Sequence, residues 1–110
     1  MYYSVSIFLK AIGKNGGPES IELWEERVYL ILATDETDAK AKGEKLGKLG
    51  EHEYRSSEDR TIRWVFDCVN SVCEVGDERP SDGAELFSRF LRSSDVQSLK
   101  TPFEGPPGLE

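Results

Sequence analysis

The chain comprises 110 residues with a mass of 12.4 kDa, enough for one hydrophobic core and too little for two domains. Its 14 basic and 21 acidic residues leave a net charge of −7, which argues against nucleic acid and anionic membranes as partners, since both require many phosphates to be neutralised. Only 37% of residues are hydrophobic and 32% are charged, so part of the chain is expected to lie outside the core.

From the amino terminus, Tyr3, Val5, Ile7, Leu9 and Ala11 alternate with Ser4, Ser6 and Lys10, the period-two pattern of a strand over residues 2–11. Gly13-Lys14-Asn15-Gly16-Gly17-Pro18 supplies the backbone freedom of a chain reversal, and a second strand returns over residues 22–33. Within it, Val28-Tyr29-Leu30-Ile31-Leu32-Ala33 is continuously apolar, as in a strand covered on both faces, which predicts a place near the middle of the sheet.

Thr34-Asp35-Glu36-Thr37-Asp38 offers acceptors for the free amides of a helix N-terminus and carboxylates for its positive end; a helix is predicted from there to about Leu49, with Gly50 as its stop. Ala39, Gly43, Leu46, Gly47 and Leu49 form a stripe of mostly small residues that lets the helix lie close to a sheet. Each interior glycine costs roughly 1 kcal/mol relative to alanine, so tertiary packing must hold this helix. Its acids and lysines read as a solvated face.

Residues 51–55 suggest a short edge strand, and residues 61–75 a long one. Ile62, Trp64, Phe66 and Cys68 are predicted to share one of its faces, with a bulge or bend after Asn70, where the apolar parity changes. An acidic turn over residues 76–83 leads into Ala84 to Leu91, whose apolar spacing fits a helix or a strand; the turn before it and the aromatics Phe87 and Phe90 favour a strand. The predicted order is β-β-α-β-β-β: an α+β, two-layer sandwich in which a mainly antiparallel sheet of four to five strands carries one main helix on one face. Residues 1–92 form this single domain, and residues 93–110, with three of the five prolines, a flexible C-terminal tail.

The two cysteines, Cys68 and Cys73, lie five apart in one predicted strand, which sets them about 16 Å apart and on opposite faces. A disulfide tolerates only about 7 Å between Cα atoms, so packed, reduced thiols and a reducing compartment are expected. No apolar run approaches the roughly 20 residues of a membrane-spanning helix, and no basic segment followed by an apolar core opens the chain. A soluble, cytoplasmic protein is the expectation.

Several fragments form a recognisable set: Trp24-Glu25-Glu26, Lys45-Leu46-Gly47-Lys48, Tyr54, Arg63-Trp64-Val65-Phe66, and Asp82-Gly83-Ala84-Glu85-Leu86-Phe87-Ser88-Arg89-Phe90-Leu91. Together they resemble a family of small bacterial domains known only as a domain of unknown function, which typically open on an aromatic-rich strand and close on a Gly-x-Glu-x-aromatic-Ser-Arg-Phe segment. The resemblance covers about residues 1–92 and implies a bacterial source and a recurrent fold, with no activity attached. Ala84 stands where a β-branched residue is more usual.

No Gly-rich phosphate loop, G-x-S-x-G, H-E-x-x-H or nucleophile–base pair is present, which disfavours an enzyme, and no cofactor is implied. His52, the one histidine, has no second histidine or nearby thiol to complete a metal site. Glu85 and Arg89, four apart, read as an internal ion pair. The leading expectation is a small acidic protein-binding module, in the manner of an immunity protein or antitoxin that inhibits a basic partner. Its contact residues would be Glu22, Trp24, Glu25 and Glu26 in one acidic segment and Asp77, Glu78 and Asp82 in another. Against this stands the blander reading of both segments as solvated surface. Two other functions remain open: a small-molecule sensor or enzyme with a pocket between helix and sheet near Tyr54, Trp64 and Arg89, and a homodimeric structural domain joined through a sheet edge or face.

Overall fold

The sheet is organised around its two longest strands, β1 (Tyr2–Gly13) and β4 (Thr61–Glu74), which pair antiparallel from Tyr3 opposite Glu74 to Gly13 opposite Ile62. The computed structural model describes residues 1–13, 23–55, 61–76 and 79–101; most of the glycine-rich reversal, Glu22, Asp77 and Glu78 lie outside them. The outer positions go to β2 (Trp24–Leu32), antiparallel to β1, and β3 (His52–Arg55), antiparallel to β4, giving the order β2-β1-β4-β3. Between β2 and β3 the chain forms α1 (Glu36–Leu49), and it ends in α2 (Ser93–Lys100). The fold is therefore α+β, a four-stranded antiparallel sheet with one main helix.

The alternation in β1 decides which face is closed. Val5, Ile7, Leu9 and Ala11 are fully buried, and Tyr3 nearly so; Tyr3, Val5 and Ile7 pack with Ile31, Ala33 and the helix residue Ala39. Each large aliphatic side chain so buried stabilises the fold by about 1.5–3 kcal/mol before entropy is counted. A second cluster around Ala11 and Ile62, with Leu23, Tyr54 and Trp64 packed against it, extends the core towards β3.

Helix α1 begins where its capping chemistry predicts. Asp35 accepts a hydrogen bond from the Asp38 backbone N–H at 2.8 Å, and the Asp38 carboxylate accepts one from Thr34 N–H at 3.0 Å, a reciprocal cap. The Thr34 amide, with Lys42 four residues along the helix, holds the Asp38 carboxyl below its usual range. The small-residue stripe then sets the distance between layers. A methyl group at Gly43 would stand 2.6 Å from Val5 Cγ1, and one at Gly47 would enter the Phe66 ring. Helix and sheet are in direct contact at both glycines. Leu49, predicted as part of the stripe, faces solvent, and Leu46 alone supplies bulk to the seam.

Three expectations require correction. The apolar run of β2 predicts a twice-covered strand near the middle of the sheet, yet β2 lies at the edge. Ile31 points into the core, while Val28, Leu30 and Leu32 are 52%, 50% and 57% exposed on the opposite face. The run encodes two apolar faces, and only one of them is covered. The second correction concerns Ala84 to Leu91, which form neither strand nor helix: the only backbone hydrogen bond that this segment makes among the described residues is from Ala84 N–H to Ser81, so no ladder exists. The order is thus β-β-α-β-β-α, and the final strand is absent. Ser93–Lys100, within the expected tail, is helix α2; it rests on no other helix or strand, and residues 102–110 lie outside the description.

The third correction is to the parity of β4. Its pairing with β1 shifts register twice, between Ser6 and Ile7 and between Phe8 and Leu9, each time passing over one residue of β4, Asn70 and Asp67. Such extra residues reverse the side-chain alternation. Phe66 and Val69 both face the helix, whereas Cys68 lies opposite Phe8 and Cys73 opposite Ser4, so both cysteines occupy the other face. Cys68 does not share a side with Phe66, and the thiols do not point in opposite directions. Both are free and half-buried.

Candidate interaction face

The side of the sheet away from α1 is assembled from the even residues of β1 and β2 and their partners on β4. Across it, Tyr2 pairs with Leu32, Ser4 with Leu30, Ser6 with Val28, Phe8 with Glu26 and Lys10 with Trp24. On the other flank, Cys73 lies beside Ser4, Ser71 beside Ser6, Cys68 beside Phe8 and Val65 beside Lys10. The middle therefore carries only hydroxyls, buried between larger neighbours, with Leu30, Val28 and Leu32 standing along the free edge.

One end of this stripe is aromatic and charged. Trp24 meets Phe8 edge-on with 6.3 Å between ring centroids, and the Lys10 ammonium lies 5.2 Å from the centre of the indole. Glu26 accepts a hydrogen bond from Ser6 Oγ. Glu25 lies on the helix side of the same strand and pairs with Arg27 at 2.8 Å. Of the first predicted acidic segment, Trp24 and Glu26 share the open face, Glu25 does not, and Glu22 lies outside the described residues. Asp82 is exposed in the second segment, whose Asp77 and Glu78 are likewise outside the description.

Trp24 and the strand end that leads to the second segment lie at opposite ends of the sheet. Trp24 sits beside Lys10, whereas the second segment follows Glu74, which sits beside Tyr3. Seven strand residues separate these positions, roughly 23 Å at the usual rise.

The pocket residues are also divided. Tyr54 and Trp64 pack together beside Ile62, but Arg89 lies over the ring of Phe87 at 5.5 Å, and the Phe87 segment adjoins the far end of β4. There a cavity of about 360 Å³ is lined by Cys73, Glu74, Gly76 and residues 85–88. It lies beside the last turn of the sheet, not between helix and sheet, where Gly43 and Gly47 leave no room. Glu85 and Arg89 make no ion pair with each other; on an irregular segment the four-residue spacing no longer brings them together.

His52 Nδ1 lies 2.9 Å from the Gly50 carbonyl, and its ring stacks on Tyr54 with 6.2 Å between centroids. No group of three or more His, Cys, Asp or Glu side chains among the described residues is placed to hold a metal ion. Burial, reinforced by Asp67, pushes the Cys68 thiol up, which keeps it protonated near neutral pH and weak as a nucleophile. Among the described residues no helix is long and apolar enough to cross a membrane.

The segment after the acidic turn is the residue set that sequence reasoning misplaced. Leu86 and Leu91 are exposed, and Phe90 is fully exposed among the described residues, at 106% of its reference value. Its aromatic content suggested a paired strand; the missing signal was an edge for it to pair with. The exposed Val28, Leu30 and Leu32 were visible in the sequence only as an apolar run too continuous for a strand with one wet face.

Fold and face together define a small sheet-and-helix domain that closes one side of its sheet with a helix and leaves an apolar stripe on the other. The chain belongs to the DUF4288 family, a domain of unknown function, whose profile matches residues 2–88. No curated protein and no solved structure shows significant similarity to it.

Proposed function

We propose that this domain is a protein-binding module and that the face it presents is the outer surface of β2, from Trp24 and Glu26 through Val28 and Leu30 to Leu32. The observation that carries this reading is the row of three aliphatic side chains, each at least half exposed, on neighbouring even positions of one edge strand. Contiguous apolar surface of this kind, bordered by charge, is characteristic of association sites. The net charge of −7 and the carboxylate of Glu26 at the end of the stripe favour a partner segment that is both apolar and basic, the form an inhibitor of a basic protein would take.

Capture from the source organism tests this with the wild-type chain and two variants, Leu30→Asp and Glu26→Lys. A partner should be retained by the wild type, lost with Leu30→Asp, and held more weakly and with less dependence on salt by Glu26→Lys. Retention that ignores both substitutions would refute the assignment of the face.

A further inference from the structure

The segment 84–92 answers the open face of β2 feature by feature. It is neither helix nor strand, its backbone amides from residue 85 to 91 make no backbone hydrogen bond among the described residues, and Leu86, Phe90 and Leu91 are exposed. Residues 85–88 lie beside Cys73, Glu74 and Gly76, and Phe87 is half-buried there; beyond that point Phe90 is fully exposed and α2 docks on no strand or helix among the described residues. The family match ends at Ser88, so residues 85–88 lie within it and residues 89–92 continue beyond it.

Charge matches as well as shape. Arg92 is held by Asp95 and Glu25 by Arg27 on the helix side, which leaves Arg89 of the segment, over the Phe87 ring with no ion pair among the described residues, and Glu26, exposed on the open face of β2. The segment thus offers one uncompensated cation among apolar side chains, and the β2 face one exposed carboxylate at the end of an aliphatic row. The edge of β2 away from β1 is unpaired in the sheet, and an extended peptide laid along such an edge gains a ladder of backbone hydrogen bonds.

We propose that the partner accepted by the β2 face is the arm of a second copy of this chain: residues 84–92 of each protomer lie along β2 of the other, with Leu86 and Phe90, on one side of the strand alternation, against Val28, Leu30 and Leu32. The exchange is reciprocal, so one two-fold contact covers both stripes and both arms. It rests on the reading of β2 as a docking face and goes further by naming what docks.

Light scattering on the full chain across the range from about 1 to 100 µM tests the exchange. The expected result is a concentration-dependent mass approaching twice 12.4 kDa. Phe90→Asp, a change at a side chain fully exposed among the described residues, and Leu30→Asp should each reduce the mass to that of one chain. An equimolar mixture of the two variants should recover part of the dimer, because the intact arm of one meets the intact face of the other. A wild type that stays monomeric at 100 µM, or a dimer that survives Phe90→Asp, overturns the exchange. If the monomeric wild type still captures a foreign partner through Leu30, the exchange fails while the docking face stands; if Leu30→Asp alters neither mass nor capture, both fail.

Discussion

Ile31 and Leu30 are adjacent on one strand and chemically alike, yet Ile31 is 5% exposed and Leu30 is 50% exposed. The contrast extends over the whole sheet. Its helix-covered side is packed until no methyl can be added at Gly43 or Gly47, while its other side offers aliphatic side chains to solvent along β2. Apolar content alone does not distinguish a core from a contact surface; what distinguishes them is whether the same chain provides a cover. The helix side was selected for closeness, which is why its seam uses glycine despite the cost in helix propensity. The open side retains large residues at positions where solubility would favour polar ones.

The largest effect should separate these two sides most clearly. Ile7→Ala removes a fully buried branched side chain from the centre of the sheet and should lower unfolding free energy by about 2–5 kcal/mol in urea denaturation, whereas Leu30→Ala should change the monomer by no more than about 0.5 kcal/mol. Equal losses at the two sites would break the comparison. Next in size is Gly47→Ala. Its gain in helix propensity is outweighed by the collision with Phe66, and a net loss of about 1–3 kcal/mol is expected; a stabilised variant would show that the two layers are looser than their contact implies.

Capping of α1 provides a smaller test. Asp35→Ala removes the acceptor for the Asp38 amide and should cost about 1 kcal/mol. The pH dependence follows from Asp38. Because its folded-state carboxyl titrates below the unfolded value, the unfolded chain binds the proton first as pH falls, and the stabilisation present at neutral pH is lost progressively through and below about pH 4. Asp38→Asn should therefore lower stability at pH 7 and reduce the slope of melting temperature against pH in the acid range. An unchanged slope would place the acid sensitivity elsewhere.

Much of the closed side was legible in the sequence. β1 announces itself by strict alternation, α1 by Asp35 at its start and the small residues at four-residue spacing, and the long β4 by its length and aromatic content. The misreadings cluster on the open side and share a cause. The apolar run of β2 is evidence for two covered faces, and a reader of one chain supplies both covers from within it. Residues 84–91 were given strand form for the same reason, since their aromatics imply packing but do not name the molecule that provides it. The parity of β4 failed at Cys68 because the two shifts depend on pairing with β1, which no local pattern in β4 reports. Trp24 and Glu26 share a face of β2 that continues through Val28, Leu30 and Leu32, and it is those aliphatic residues that read, from the sequence, as interior.

The double register shift in β4 bears on how this domain can change over evolutionary time. Between Phe66 and Val72 the strand spends two residues, Asp67 and Asn70, that contribute no step to the alternation, so each reverses the facing of everything beyond it and the pair restores the original sense. Deleting Asn70 alone would leave Val69 opposite Ile7 and Ser71 opposite Ser6 in an unbroken ladder, with Val72 still inward and Cys73 still outward. Single-residue losses should accordingly be tolerated at these two positions as they are in the connections. The two extra residues are slack held in the middle of a long strand: a deletion there uses up a bulge and leaves the inner and outer surfaces of the molecule where they were.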